Sequence, residues 1–295
     1  METKKKSEGK KSRGISAGIV IACCAVVAAS VFLFIFGKPV NFLGITPEKL
    51  AEANLGFWEN LSVAFWGKNT VLQAGHPAGL AGTIYKGGFV VVIVMTLLLT
   101  VMVLSVERAF AISKCKGKGN LLQLVFDVKK NLEKGDLKTA EALCAKQQGS
   151  VAAIISAGLK KYEEMETTTE KLSKEQKLLA IQKDIEEATA LELPTMQQNL
   201  PVIATISTLG TLFGLLGTVL GMIRSFAAMS TAGAPDSVAL AAGISEALIN
   251  TAFGIATGAL AIISYSFFTG KIDNMTYAID EMGFSITQTY AAKHE

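Results

Sequence analysis

The apolar residues of this chain are concentrated in four blocks that are separated by polar segments. Each block holds about twenty residues or more, and the blocks cover residues 14–36, 87–112, 200–228 and 238–269. Because a helix rises about 1.5 Å per residue, a block of this length crosses the roughly 30 Å hydrocarbon core of a bilayer. The pattern therefore predicts an all-α polytopic membrane protein with four transmembrane helices.

The first block follows a basic tail, residues 1–13, which carries six Lys/Arg and is predicted to stay in water. A cleaved signal peptide has the same basic start, but its apolar core is about 7–15 residues long and ends in a small-x-small cleavage site. The block 14–36 is longer and has no charge. We therefore predict a retained first helix, with a cleaved signal peptide as the alternative.

A polar segment, residues 37–86, follows the first block. Thr46 and Pro47 have the character of a helix N-cap and a first helical position, and apolar residues then recur at helical spacing. Trp58 and Trp66 lie beside this apolar stripe, as indoles do at the level of lipid headgroups. The segment predicts an amphipathic helix that either lies on the membrane surface or packs on the transmembrane helices.

The charged pair Glu107 and Arg108 lies near the end of the second block. The two residues are adjacent and close to the end of the apolar run, which ends at Val106. We interpret them as an interface pair that stops the span rather than as a buried relay.

The longest polar section, residues 113–199, contains fourteen lysines and is predicted to be helical. Its last helix carries Leu172, Leu179 and Leu193 at heptad intervals and runs into the third block, which favours a long helix projecting from the membrane. A further polar helix is predicted at the C-terminal end of the chain. The predicted helices of these polar sections cover residues 121–128, 136–147, 151–162, 170–193 and 270–295.

The distribution of basic residues predicts the orientation. Segments 1–13, 113–199 and 270–295 carry 6, 14 and 2 Lys/Arg, whereas segments 37–86 and 229–237 carry 4 and 0. Because basic residues accumulate on the cytoplasmic side of membrane proteins, both termini and the long polar section are predicted to be cytoplasmic. The segment 37–86 and the turn 229–237 are then periplasmic.

The composition is typical of a membrane protein and does not indicate a nucleic-acid-binding protein, a metalloprotein or an enzyme. The chain is 50% hydrophobic and 18% charged, compared with about 25% charged in a typical soluble domain. The net charge of +3 does not indicate a nucleic-acid partner, and the four cysteines form no Cys-x-x-Cys pair. No nucleophile–base pair, nucleotide loop or metal cluster is recognisable, so we predict neither an enzyme nor a cofactor.

Small residues recur along the third and fourth blocks. Close backbone approach and hydrogen bonds, rather than apolar contact, hold helices together in lipid. These glycines therefore predict tight helix-packing faces. They are Gly210, Gly214, Gly217, Gly221, Gly243, Gly254 and Gly258.

The same two blocks contain a sparse polar set. Thr211 and Thr218 are seven residues apart and share a helix face, while Glu246 and Asn250 are four apart, with Thr251 next to them. A threonine in a span is usually satisfied by its own i−4 carbonyl, but an ionised carboxylate in the membrane costs several kcal/mol and marks a functional candidate. We interpret the set as the lining of an ion pathway, with a hydrogen-bonded contact between subunits as the alternative for Glu246. One carboxylate is little for a proton relay, so a second protein is expected to supply the main protonatable group.

Two stretches of the chain resemble the signatures of a known family. The stretch 214–223, with Ser225 and Phe226, and the stretch 243–254 resemble the two signatures of the MotA/TolQ/ExbB proton-channel family, closest to its ExbB and TolQ branch. The resemblance covers residues 195–275 well and extends over 87–195 by layout alone. Many members have prolines where Thr211 and Leu260 stand, so this chain departs from the family at both helix kinks.

The resemblance implies a three-span family core with an extra N-terminal span, in the inner membrane. It implies a homopentamer around ExbD-type single-span helices, whose aspartate carries protons, and a complex that drives a TonB-type energy transducer. Thr218, Thr251 and Glu246 match the family's pore-lining positions. A TolQ-like role, a MotA-like flagellar or gliding stator and a non-conducting scaffold are the alternatives. In MotA-like members a short connection joins the first two spans, and the fifty residues of 37–86 argue against that branch.

Overall fold

A computed structural model describes most of the chain outside the 37–86 segment. The predicted basic tail and the predicted amphipathic helix with Trp58 and Trp66 lie outside the described residues. The chain divides into two units: Ser16–Ser105 with Pro201–Tyr265, and Val106–Leu200 with Ser266–Glu295. The residues described are 16–37, 41–43, 76–77, 80–169, 172–231 and 237–294.

Nearly all of the described chain is helical. The one sheet in these residues is the antiparallel pair of two-residue strands β1 and β2. A π-helical turn, Phe32–Phe36, follows the first helix. In chain order the elements are α1 Ala17–Val31, β1 Phe42–Leu43, β2 His76–Pro77, α2 Leu80–Lys86, α3 Phe89–Lys116, α4 Leu121–Glu133, α5 Leu137–Gln147, α6 Gly149–Thr167, α7 Lys174–Gln197, α8 Leu200–Thr231 and α9 Ser237–Lys293.

The predicted fold class is confirmed. Four helical stretches in the described part of the chain are long and apolar enough to cross a membrane. They are Ala17–Phe36 and stretches that begin at Phe89, Lys174 and Gly243, so each overlaps most of one of the four predicted apolar blocks. The protein is an all-α polytopic membrane protein.

The C-terminal end of the first helix packs against α2 through aromatic side chains. Phe32 is 1% exposed, and its ring stacks on Tyr85 with 4.9 Å between the ring centroids. Asn41 donates from Nδ2 to the carbonyl oxygens of Ile35 and Phe36, at 2.9 and 3.0 Å, and so ends the π-helical turn. The retention of the first helix stays a prediction, but these contacts give it a place within its unit.

Two predicted helix boundaries differ from those observed. Helix α3 continues four residues beyond the predicted block, to Lys116. Within it, Arg108 is 1% exposed and donates from Nε to Glu107 Oε2 at 2.6 Å, and the end of the membrane span at this pair stays a prediction. Asn199 also donates from Nδ2 to that oxygen, at 3.3 Å. Helix α9 likewise runs unbroken through Gly270, since one glycine costs a helix only about 1 kcal/mol.

The four helices predicted between 121 and 193 are observed as α4 to α7. Side chains satisfy the first free amides of three of them, which explains where they begin. Asn120 caps α4, Asp136 caps α5, and Ser173 with Gln176 forms a capping box at α7. These capping side chains explain why the three helices begin where they do.

The buried face of α7 is not the leucine series at heptad intervals. Leu179 is 65% exposed, whereas Ile181 is fully buried. Ile185 lies against Gly158 of α6, where an added Cβ would come within 2.7 Å of its Cγ1. The packing of α7 thus follows its isoleucines.

A buried thiol in α5 gives a first testable prediction. Burial raises the pKa of Cys144 to about 11, and the charge of Glu141 adds to the effect. At pH 8 a thiol with that pKa is only about 0.1% ionised, against roughly a quarter for a free cysteine. We expect Cys144 to be alkylated by iodoacetamide at least about 100-fold more slowly than in the unfolded chain, as measured by peptide mass spectrometry.

The control for this prediction is the same protein denatured in detergent before labelling. Equal labelling rates of Cys144 in the native and denatured protein would contradict the burial of α5 in its unit.

Candidate functional site

Helices α8 and α9 approach each other along a line of glycines. The closest approach is at Gly254, where an added Cβ would lie 2.6 Å from both the carbonyl oxygen of Gly210 and the Cα of Gly214. Backbone therefore meets backbone at this point, and no side chain fits between the helices. We refer to the contact between α8 and α9 as the glycine seam.

The other predicted packing glycines lie on the same seam within a single chain. Each of them faces a side chain or backbone group of the opposite helix. An added Cβ at Gly217 would meet Asn250, at Gly221 it would meet Ala247, at Gly243 it would meet Ser225, and at Gly258 it would meet Thr211 and the Ser207 carbonyl.

Two hydroxyls meet across the glycine seam. The Oγ1 atoms of Thr218 on α8 and Thr251 on α9 are in direct hydrogen-bonding contact. Thr218 Oγ1 lies 3.3 Å from the carbonyl oxygens of Gly214 and Ala247, and Thr251 Oγ1 lies 3.2 Å from that of Gly214. Both threonines are partly exposed. Each hydroxyl has one proton and more than one possible acceptor, so this hydroxyl cluster can reorient its hydrogen bonds.

Thr211 lies on the same edge of α8 but is satisfied locally. It is exposed, and its hydroxyl donates to the carbonyl of Ser207, one turn earlier, at 3.3 Å. This is the usual arrangement for a threonine in a span. The structure therefore places Thr211 beside the hydroxyl cluster without joining it to the cluster.

Glu246 has a cationic partner that the sequence analysis missed. Lys86 Nζ lies 3.7 Å from Glu246 Oε1, and the two side chains are 11% and 21% exposed. Lys86 is the last residue of α2, and Gly88, with φ of 71°, breaks the helix between α2 and α3. A lysine next to an apolar block ordinarily indicates only the end of a span, so nothing in the sequence pairs it with Glu246.

Asn250 is buried one turn after Glu246, at 3% exposure. Its Nδ2 donates to the carbonyl oxygen of Gly87 at 3.3 Å, and its side chain fills the space opposite Gly217. Asn250 thus lies inside the chain, and any role for it in lining a pathway stays a prediction.

The predicted polar residues of α9 have two different surroundings. Thr251 faces α8 and the hydroxyl cluster, Glu246 faces the break between α2 and α3, and Asn250 lies between Gly87 of that break and Gly217 of α8. All three lie within about two turns of α9. Arg224 adds a second positive charge to the surroundings of Glu246, and its guanidinium comes close to Gly88. Hydroxyls that can reorient, within about two helical turns of a carboxylate with cationic neighbours, are groups that can exchange protons with water or a polar partner.

Comparison with known proteins agrees with this arrangement. Residues 146–281 match the sequence model of the MotA/TolQ/ExbB proton channel family. The match includes the glycine seam and the hydroxyl cluster, and it reaches further into the helical section before the third block than the 195–275 stretch. Lys86 lies outside it.

Individual relatives point the same way. The chain is similar to a protein of Synechocystis sp. named as an ExbB-like biopolymer transport protein, at 33% identity over 113 residues (38% of this chain and 54% of the relative). An ExbB homolog of Methanothermobacter thermautotrophicus is 30% identical over 152 residues (52% and 50%), and the Tol-Pal system protein TolQ of Pseudomonas aeruginosa is 34% identical over 84 residues (28% and 36%).

The chain spans about half the length of the first two of these relatives. The matched stretch nevertheless holds both helices of the glycine seam, with the threonines and the carboxylate that the family resemblance pointed to. Over residues 146–281 the chain is therefore similar to the MotA/TolQ/ExbB proton channel family.

Proposed function

We propose that this chain is an ExbB-like subunit of a motor driven by the proton-motive force, located in the inner membrane with both termini in the cytoplasm. The hydroxyl cluster of Thr218 and Thr251 is the observation that carries the proposal. Its two hydroxyls lie at a partly exposed edge of two apolar helices, where lipid offers them no hydrogen-bond partner. An edge of this kind gains from facing water or a polar partner rather than acyl chains.

The proposed assembly is a homopentamer around ExbD-type single-span helices that energises a TonB-type protein. Support comes from the outer surface of α8, which presents large apolar side chains that the described part of the chain leaves exposed. Such a surface suits contact with lipid or with other membrane helices. The exposed residues are Leu212, Leu215, Leu216, Val219, Leu220 and Ile223.

A TolQ-like role in envelope maintenance is the second candidate. The similarity to the Tol-Pal system protein TolQ of Pseudomonas aeruginosa, at 34% identity, favours it specifically. Both roles use the same ion pathway and differ in the single-span partner. Identification of the single-span protein that is isolated with the chain would therefore distinguish them.

Proton flux through the reconstituted complex tests the proposal. We would co-express the chain with its single-span partner, reconstitute the complex in vesicles and follow internal pH under an imposed membrane potential. We expect potential-driven proton uptake that falls at least about tenfold in Glu246→Gln, because the amide keeps the shape of the side chain but cannot carry a charge.

A matched control is Glu281→Gln, which neutralises an acid of the polar C-terminal part of α9 and is expected to conduct normally. The absence of flux from the wild-type complex, with the assembly intact, would favour the non-conducting scaffold. Wild-type flux in Glu246→Gln would reduce Glu246 to a packing contact. Flux driven by sodium rather than protons would revise the ion but keep the pathway.

A further inference from the structure

We propose that Lys86 is a positioning residue for Glu246: it fixes the Glu246 carboxylate against the break between α2 and α3, and through that carboxylate it controls the ion pathway. The inference rests on the proposed function for its effect on flux, although the contact itself does not. Lys86 lies outside the region that matches the family, so its role has to be argued from the geometry of this chain.

Lys86 and Glu246 form an ion pair. The Lys86 and Glu246 side chains are 11% and 21% exposed, so both charges are largely removed from water. Removing one member of such a pair leaves the other charge without a partner, which is more costly than losing the attraction alone. The two charges are therefore mutually dependent where they lie.

The end of α2 contacts α9 at two points. Lys86 and Gly87 are neighbours on one segment, and Glu246 and Asn250 are neighbours on one face of α9, one turn apart. The Gly87 carbonyl accepts from Asn250 while the Lys86 ammonium meets Glu246. Two adjacent contacts fix both the distance and the direction of approach, which a single ion pair does not.

The backbone at the break between α2 and α3 is closely packed. An added Cβ at Gly87 would lie 2.5 Å from Val91 Cγ2 and 3.3 Å from Asn250 Oδ1. Gly88 adopts φ of 71°, a conformation that glycine accepts readily. The Gly87-Gly88 pair therefore brings the end of α2 close enough for the Lys86 side chain to reach α9.

The consequence concerns the freedom of the carboxylate. A glutamate side chain has three rotatable bonds, and without a partner it would sample several positions around α9. Held by Lys86, with Arg224 as a second nearby positive charge, the carboxylate keeps one position relative to Asn250 and Thr251. An error of about 1 Å in the placement of a functional group can cost about 100-fold in rate, so this fixation is expected to matter.

A double-mutant cycle tests the inference in the complete complex. The variants are Lys86→Met, Glu246→Gln and the double variant, with Lys86→Arg as the conservative replacement. The matched control is Lys114→Met, an exposed lysine near the other end of α3. We would measure proton flux at equal amounts of assembled complex, together with the thermal unfolding midpoint of the complex in detergent.

We expect Lys86→Met to lower flux about tenfold or more, Lys86→Arg to restore most of it, and Lys114→Met to leave it unchanged. Because Lys86 acts through Glu246, the double variant should be no worse than Glu246→Gln alone. If the fold-losses of flux in the two single variants multiplied in the double variant, or if Lys86→Met conducted like the wild type, the inference would be overturned.

The unfolding midpoint separates this inference from the proposed function. If the wild-type complex conducts no protons, the proposed function fails, but the coupling of Lys86 and Glu246 is still read from the midpoints. If the shifts of the unfolding midpoint in the two single variants do not add up in the double variant, Lys86 and Glu246 are in contact even though the complex has no ion pathway. Additive midpoints would overturn the contact as well.

Discussion

Complexes carrying Thr218→Val or Thr251→Val are expected to lose at least about 99% of their proton-driven work while assembling normally. Valine keeps the branched shape of threonine and removes only the hydroxyl. Hydrogen bonds between helices in a membrane contribute on average about 0.6 kcal/mol, so the glycine seam should survive either change. The hydroxyl cluster, in contrast, loses one of its two exchangeable donors.

The measurement is proton flux in vesicles together with native mass spectrometry of the purified complex. Thr205→Val is the matched control, because Thr205 lies on the same helix, is exposed and donates only within its own turn, to Pro201 at 2.8 Å. Full activity in both cluster variants would refute the pathway at Thr218 and Thr251. A lost assembly would show instead that the hydroxyls act in packing.

The second large effect is expected from a single methyl group. Gly254→Ala places a Cβ 2.6 Å from backbone atoms of Gly210 and Gly214, and backbone cannot move aside as a flexible side chain can. Overpacking of this kind costs about 1–3 kcal/mol, and here α8 and α9 must separate along the seam. We expect a lower unfolding temperature in detergent and a reduced yield of folded complex.

Gly270→Ala is the matched control on the same helix. Apart from its own helix backbone, no atom of the described residues lies within 4 Å of the Cβ that it would add, so we expect no loss and up to about 1 kcal/mol of gain from the better helix propensity of alanine. A wild-type unfolding temperature in Gly254→Ala would contradict the close approach of the two helices. A loss in Gly270→Ala equal to that in Gly254→Ala would attribute both effects to helix formation in general.

Features with a fixed local period could be predicted from the sequence. The four spans follow from the length of apolar runs, and the glycine seam follows from small residues at spacings of three and four. Thr211 and Thr218 share one edge of α8 because seven residues are close to two helical turns. The helices predicted from 121 and 136 begin there, next to the caps Asn120 and Asp136, whereas the helix predicted from 170 begins at Lys174 after the cap Ser173.

Features that depend on contacts between distant segments could not be predicted. Lys86 precedes Glu246 by 160 positions, and its Nζ reaches the carboxylate only because the chain breaks at Gly87 and Gly88. The same limit applies to helix ends. Arg108 pairs with Glu107, to which Asn199 from a distant part of the chain also donates, and α3 continues through the pair to Lys116.

The strand pair β1–β2 has a consequence for engineering the protein. Phe42 pairs with Pro77, and Leu43 pairs with His76. Residues paired across antiparallel strands are only about 5 Å apart, so Leu43 and His76 lie side by side although they are far apart in the sequence. A fluorescent reporter or an affinity tag inserted between the two strands would therefore have both of its attachment points held close together, which suits a tag whose own termini are adjacent.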